Sequence, residues 1–390
     1  MQIKELLQDA EQLKAEIITD RRTLHQNPEA GPRLPETAGY VKRQLEALGY
    51  PAQELAGGVA ADITGEDTGR CILLRADMDA LRIREDTGLE FQSENGKMHA
   101  CGHDLHAAML LGAARLLRQH REELQGTVRL VFPPDPEGFT GAKAMLAAGI
   151  LKKKPEPPAA LALHVHSGTP SGLALCGRGT FMAGCTLFRI TVQGVGCHGA
   201  MPENAVDPVP AMAELITAIH MLPTREVSSM ENCVISIGQV ELPGSVWNVV
   251  PERAHIVGGF RTFNNDVRAL LRQRIPELAE GIAKANRCTA VCTQTLGYDA
   301  TINDEAMALE GSRTLENIVG EGNVILTNKP FMGSEDFGCF TQHVPGVLFW
   351  LGTGTGEDDK PLHNPYFKMD LQALPVGTAC HVQNALHFLK

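Results

Sequence analysis

The sequence predicts an α/β protein. A larger domain with a mostly parallel central sheet flanked by helices is interrupted by a smaller α+β, ferredoxin-like domain. Two observations carry this. Short apolar runs bounded by turn residues alternate with helical patterns as far as residue 180, the order that builds a parallel sheet through crossover helices. From Phe181 onward the order becomes strand, helix, strand, strand, helix, strand, which closes on itself as a small α+β unit. A chain of 390 residues also exceeds what one core usually holds. The predicted boundaries are 1–182 with 294–390 for the larger domain and 183–293 for the insertion.

The elements follow in order. The stretch 1–20 is charged and helical, with Leu6, Leu7, Leu13 and Ile17 near one face. It lacks the apolar core of a signal peptide. No window approaches the roughly 18 apolar residues of a membrane span. Cys71-Ile72-Leu73-Leu74-Arg75 reads as a buried strand that runs into Ala76-Asp77-Met78-Asp79. Ala107-Ala108-Met109-Leu110-Leu111 opens a helix. Val128-Arg129-Leu130-Val131-Phe132 is the next strand, and Ala160-Leu161-Ala162-Leu163-His164-Val165-His166 is another that ends in histidines. Phe181-Met182-Ala183 marks the crossover between domains and reads as a hinge. Within the insertion, residues 187–192 alternate as a half-exposed strand and 211–222 form an amphipathic helix. Residues 233–240 and 254–263 are strands, 265–286 a long helix and 290–294 a last strand.

Net charge is −11 without a basic tract, which argues against nucleic acid as a partner. With no membrane segment and 10 scattered cysteines, the chain reads as a cytoplasmic protein whose thiols are small core residues. Cys288 and Cys292 have the spacing of a metal pair, but no nearby His or Cys completes it.

The chemistry concentrates in Met98-His99-Ala100-Cys101-Gly102-His103-Asp104-Leu105-His106, in a chain with only 14 His. A Cys-x-His pair at the mouth of a helix can hold a divalent cation from one side. Thiolate and imidazole suit zinc, and also manganese, cobalt or nickel where carboxylates share the site. By itself the tract also admits an inert thiol beside surface histidines. Further ligand types recur just past predicted strands or in tight loops. Asp77 and Asp79 end a strand, where open α/β sheets place functional side chains, although Asp-x-Asp also reads as a turn. Glu137 follows Pro133-Pro134-Asp135-Pro136, His164 and His166 end a strand, and His363 sits in Pro361-Leu362-His363-Asn364-Pro365. Together these segments favour a metal site over chance.

These residues carry a family resemblance that runs almost end to end. Arg22-Thr23-Leu24-His25-Gln26-Asn27-Pro28-Glu29 begins it, followed by the stretches 75–81 and 99–106. Gly194-Val195-Gly196-Cys197-His198-Gly199-Ala200-Met201-Pro202 and Asn248-Val249-Val250-Pro251 continue it. Met332-Gly333-Ser334-Glu335-Asp336-Phe337 and the His363 loop complete it. The chain resembles the indole-3-acetyl-amino-acid hydrolase and hippurate hydrolase branch of the aminoacylase/carboxypeptidase-type dinuclear metallohydrolases. That resemblance implies two divalent metal ions per chain, zinc, manganese or nickel, and a small amide such as an N-acyl amino acid as substrate. The implied ligands are Cys101, His103, Glu137, His164 and His363, with Cys101 as a bridging thiolate. Asp77, Asp79 and Asp104 would orient the histidines. His106 and His166 would be either further orienting groups or ordinary helix-start and strand-end residues.

The resemblance also gives the insertion a role, as a lid and a homodimerisation domain. His198 would stabilise the oxyanion of the tetrahedral intermediate, in the cleft of a neighbouring subunit. Asn248 and Arg261 would bind the substrate's amide or carboxylate, although Arg261 suits a surface ion pair equally. Glu203 stands where similar chains often carry a second His, which removes that contact.

One departure outweighs the matches. Similar hydrolases read Gln-Pro-Ala-Glu-Glu-Gly before the metal-binding carboxylate. Their first Glu is the general base that takes a proton from the attacking water and returns it to the leaving amine. Here the same place reads Pro133-Pro134-Asp135-Pro136-Glu137-Gly138, so Glu137 takes the ligand position and Pro136 the base position. Proline transfers no proton, and losing a general acid/base costs about 10²–10⁴-fold in rate. Three explanations follow. Asp135 substitutes as catalytic base in a reshaped loop; or catalysis is lost or redirected while binding persists; or an easier substrate reacts with another base or none. The leading functional reading is therefore a metal-dependent amidohydrolase, and the second a metal-binding relative with impaired or redirected catalysis. A third is a structural dimer that needs metal only to fold, for which a closed four-ligand zinc would suffice.

Overall fold

The computed structural model describes residues 3–295, 297–356 and 359–390. Met1 and Gln2, the start of the expected N-terminal helix, lie outside the described residues, as do Leu296, Glu357 and Asp358 of the expected larger domain. The chain packs as two units. One comprises residues 1–181, 301–329 and 336–390, the other residues 182–300 and 330–335.

The larger unit is built on an eight-stranded sheet. Its centre is parallel: Thr127–Phe132, Cys71–Arg75, Ala160–Pro170 and Gly346–Gly354 lie side by side in that order. Antiparallel neighbours extend it, Gly58–Thr64 and Ala52–Leu55 at one edge and Ala174–Gly177 towards the other. Val324–Thr327, parallel to Ala174–Gly177, closes that edge. The central strands are apolar without alternation because both faces are covered; Cys71–Arg75, Thr127–Phe132 and Gly346–Gly354 are buried throughout. Helix His103–Gln119 is apolar nearly all round for the same reason, packing against helices Lys14–Gln26 and Ala373–Phe388 as well as the sheet. The expected single N-terminal helix is two, Ile3–Gln12 and Lys14–Gln26, broken at Leu13. Strand Ala160–Pro170 does not end at its histidines as the sequence suggests. It continues because Gly346–Gly354 pairs with it as far as Pro170.

The smaller unit is an antiparallel four-stranded sheet in the order Cys233–Glu241, Arg253–Thr262, Gly184–Gln193, Thr289–Thr295. Gly184–Gln193 and Arg253–Thr262 alternate buried and exposed positions, as a sheet covered on one face requires. Helices Pro208–Arg225 and Asn265–Ala285 supply the other half of its core through Leu215, Ile219, Leu271 and Ile275. Each helix begins on a side-chain cap, Asp207 to the Val209 amide and Asn264 to the Asp266 amide. The segment 297–300 belongs to this unit because Tyr298 C=O accepts from Cys185 N–H, and 330–335 because Ala183 N–H donates to Phe331 and Gly333 carbonyls.

Candidate metal centre

Strand Cys71–Arg75 stops while its neighbour Ala160–Pro170 runs on, which staggers the carboxyl ends of the parallel strands, where open α/β sheets place functional side chains. The residues expected to bind metal from sequence converge there. Cys101, His103 and Glu137 place their ligand atoms within 4.8 Å of one another. His164 Nε2 lies 3.7 Å and His363 Nε2 3.3 Å from Cys101 Sγ. His363 Nε2 also lies 3.2 Å from Glu137 Oε1. Local backbone explains the convergence. Gly102 takes φ +85° just before helix His103–Gln119, and a Cβ there would meet Val165 Cγ2 at 2.4 Å, so only glycine makes this turn. His363 is itself held at φ +66° while its N–H donates to Ala100 C=O. A left-handed non-glycine residue costs about 1–3 kcal/mol, a strain typical of functional sites.

The donors fit a divalent cation. Spacings of 3.2–3.7 Å between nitrogen, sulfur and oxygen match the edges of a tetrahedron with metal bonds of about 2.0–2.3 Å. Two of the three rings have their other nitrogen committed. His103 Nδ1 lies 2.8 Å from Asp79 Oδ1, and His164 Nδ1 2.7 Å from Val165 C=O. Both Nδ1 atoms donate, which leaves Nε2 as the ligand atom. Burial pushes the Cys101 thiol up, but the His103 charge and hydrogen bonds from His103 and His164 outweigh it and bring the thiol down to about 6. Hydrogen bonds to Cys101 and Glu137 raise His363 to about 10. Burial opposes ionisation of Glu137, yet the His363 hydrogen bond and the charges of His103 and His363 hold it below its usual range. Without metal, protons on His103 and His363 thus balance Cys101 and Glu137. A cation binds by displacing them, so affinity rises with pH.

The expected orienting carboxylates separate. Asp79 holds His103 as anticipated, and burial raises its own carboxyl to about 7. Asp77 Oδ1 lies 2.5 Å from His106 Nδ1, and its Oδ2 lies 3.0 Å from Arg75 and 3.6 Å from His103 Nε2. Asp104 faces elsewhere. It pairs with Arg21 and His25, each at 2.8 Å, and not with a histidine of the donor set. From the first helical turn it points to Arg21 and His25, a direction that sequence adjacency to His103 does not reveal.

Buried groups that sequence reasoning missed surround these residues. His25 bridges Asp104 and Glu85 through its two ring nitrogens, so both must carry protons. Burial works against that charge, and the two carboxylates still raise its pKa. His99 is buried with neither ring nitrogen bonded, and burial lowers it to about 3. Arg75 sits fully buried between Asp77 and Asp336. An arginine inside an apolar strand was the available signal, since such a charge requires partners. His106, read as an ordinary helix-start residue or an orienting group, is fully buried with both nitrogens engaged. His166 stacks on Trp350 at 4.2 Å and bonds Thr169 Oγ1 at 2.8 Å.

The loop after strand Thr127–Phe132 carries the sequence departure. Pro136 lies between Asp135, at φ +53°, and Glu137, whose N–H approaches Asp79 Oδ2 at 3.4 Å. The Asp135 carboxylate turns back into its own loop. It accepts from Thr140 Oγ1 at 2.5 Å and packs on Gly138, where a Cβ would stand 2.3 Å from it. Burial raises its pKa, with Glu137 adding to the effect. The expected substitute base thus accepts a hydrogen bond within its own loop, from Thr140.

The remaining expected residues lie in the smaller unit. His198, in strand Cys197–His198, is exposed and pairs with Val249 of strand Val249–Val250; its Nδ1 accepts from Ala200 N–H. Asn248, also exposed, precedes that partner strand and accepts from Gly199 N–H. His198 and Asn248 are thus neighbours across a two-stranded ribbon. Arg261 donates to Met332 C=O and Ser334 Oγ, each at 2.9 Å, so it fastens the Gly333 loop.

A parallel-centred sheet with a Cys/His/Glu donor set at its strand ends forms a candidate metal centre, and the family to which the chain belongs makes it a metallo-amidohydrolase. The chain belongs to peptidase family M20/M25/M40, whose profile matches residues 73–387. It is 35% identical over 380 residues to N-acetylcysteine deacetylase of Bacillus subtilis (strain 168), covering 96% of this chain and 97% of that protein. It is also 35% identical over 380 residues to IAA-amino acid hydrolase ILR1-like 2 of Arabidopsis thaliana, covering 95% of this chain and 84% of that one. Among solved structures it resembles the Bacillus subtilis YXEP protein, described as a dinuclear metal binding peptidase of the same family. That match has a TM-score of 0.79 and 31% identity, over 97% of this chain and 99% of the other.

Proposed function

We propose that this protein binds two divalent ions and hydrolyses the amide bond of an N-acyl amino acid, in the manner of the deacetylase and IAA-amino acid hydrolase relatives. The convergence of Cys101, His103, Glu137, His164 and His363 is the observation that carries the reading. Cys101 holds the middle of the set and would be the donor shared by the two ions. Bound ions would polarise the scissile carbonyl and acidify a water. The protein's own part is to fix the donors: Asp79 orients His103, Val165 orients His164, and the left-handed turn at His363 presents its Nε2. His198 is assigned to the oxyanion and Asn248 to the substrate amide. Arg261 then acts by holding the Met332–Ser334 loop and, beyond that, binding the substrate carboxylate. A second reading, a relative with impaired or redirected catalysis, is favoured by one observation: Pro136 offers no proton acceptor and Asp135 is bonded to Thr140. The ten free cysteines suit a reducing, cytoplasmic setting. Among the described residues no helix is long and apolar enough to cross a membrane.

Metal analysis tests the core of the proposal. Protein reconstituted with zinc, manganese or nickel should approach two ions per chain, with occupancy falling as pH drops and the donors regain protons. Cys101→Ser should lower occupancy, because a neutral hydroxyl is a poor bridge. A stoichiometry near zero at every pH would remove the metal site. For assembly, we propose a two-fold dimer through the smaller unit. Light scattering should give roughly twice the 42.1 kDa chain mass; a monomer would end any role for His198 in a neighbouring subunit.

A further inference from the structure

The strand motif at Arg75 and the Gly-Ser-Glu-Asp-Phe motif at Asp336 are unexplained by ligand assignment alone, and the structure joins them. Arg75 pairs with Asp336 and lies 3.0 Å from Asp77 Oδ2. Asp77 Oδ1 meets His106 Nδ1 at 2.5 Å. His106 Nε2 lies 2.9 Å from the Val165 amide nitrogen. A backbone N–H can only donate, so His106 Nε2 must be the acceptor and its proton must sit on Nδ1, directed at Asp77. The carbonyl of the same Val165 accepts from His164 Nδ1 at 2.7 Å. His164 Nε2 is thereby the atom turned to Cys101 Sγ at 3.7 Å.

The strand geometry explains why a histidine is needed here. Strand Cys71–Arg75 pairs with Ala160–Pro170 only as far as Ala162. Beyond that point the Val165 N–H has lost its sheet acceptor, in an interior where an unpaired amide costs about 1–3 kcal/mol. His106, one turn into helix His103–Gln119 and fully buried, supplies the acceptor. Its ring also packs edge-on against the His164 ring, with centroids 4.4 Å apart.

We propose that His106 is a positioning residue of the metal centre. Asp336, Arg75 and Asp77 fix its tautomer, and it in turn fixes the Val165 peptide and with it the ligand face of His164. The proposal rests on His164 being a ligand, as above. It predicts an asymmetry between two conservative variants. His106→Gln keeps an acceptor near the Nε2 position, whereas His106→Asn keeps only a donor near Nδ1.

The experiment measures zinc affinity by competition with a chromophoric chelator. It also records the absorption spectrum of the cobalt(II)-substituted protein, whose thiolate and ligand-field bands report coordination. His106→Asn should weaken one zinc ion by about 10–100-fold, the usual effect of removing a group that orients a ligand, and should alter the cobalt bands. His106→Gln should bind zinc far closer to the native protein. Asp336→Asn, an isosteric change at the far end of the chain of contacts, should weaken the same ion if His106→Asn does not fold. Native zinc affinity and native cobalt bands in either His106→Asn or Asp336→Asn would overturn the positioning role alone. Equal losses in the Gln and Asn variants would overturn it too, since the Val165 contact would then not matter. A native protein that binds neither zinc nor cobalt would overturn the metal-centre reading itself.

Discussion

Pro136→Glu is expected to raise the hydrolysis of simple N-acyl amino acids by roughly 10²–10⁴-fold, the contribution of a positioned general acid/base. The native protein should turn such substrates over weakly or not at all. The loop geometry supports the substitution. Proline lacks an N–H, so no donated hydrogen bond is lost, and the carbonyl at this position still accepts from Phe139 N–H. Glu137, the next residue, keeps its contacts with His363 and Asp79. Asp135→Asn, run alongside, separates the explanations. An amide at Asp135 retains a carbonyl that can accept from Thr140, so residual turnover should survive if Asp135 only shapes the loop. Abolished turnover would make Asp135 the substitute base. Vigorous native hydrolysis that survives Asp135→Asn would mean that the proton acceptor comes from another residue and that the assignment of Pro136 to the base position is wrong.

The second large effect concerns stability. Arg75→Met should destabilise the larger unit by about 3–5 kcal/mol, the typical result of removing one partner from a buried ion pair. Arg75, Asp77 and Asp336 are each fully buried, so two carboxylates would be left without their shared cation. The damage comes from the lost cation and not from lost volume, because methionine fills much of the same space. Arg75→Met with Asp336→Asn should therefore recover part of the loss relative to Arg75→Met alone. Arg75→Lys should rescue only in part, since the shorter side chain keeps the charge but does not set its ammonium where Arg75 Nη2 meets both carboxylates. Urea unfolding of the metal-free protein measures all of these, and equal midpoints for native protein and Arg75→Met would refute the claim. Using metal-free protein keeps this test apart from any change in ion binding.

The sequence by itself determined the architecture. Short apolar runs such as 71–74 and 130–132 demanded strands buried on both faces, and the alternation at 187–192 demanded a sheet covered on one face. These patterns are local, with periods of a few residues, so one chain suffices to read them. The donor types were legible as well, because a thiol, imidazoles and a carboxylate at strand ends have few other uses together. What the donors do to one another was decided by tertiary structure. Asp104 adjoins His103 in sequence yet turns to Arg21 and His25, whereas Asp77, distant in sequence, reaches His106. Asp135 reads in sequence as a substitute for the missing base, and only the fold shows that, at φ +53°, its carboxylate accepts from Thr140. His106 looked ordinary because the group that needs it is the Val165 amide, which loses its sheet partner only where Cys71–Arg75 stops short. Hydrogen-bond partners across such distances depend on where strands end and which way a turn throws a side chain, and no residue-to-residue spacing records either.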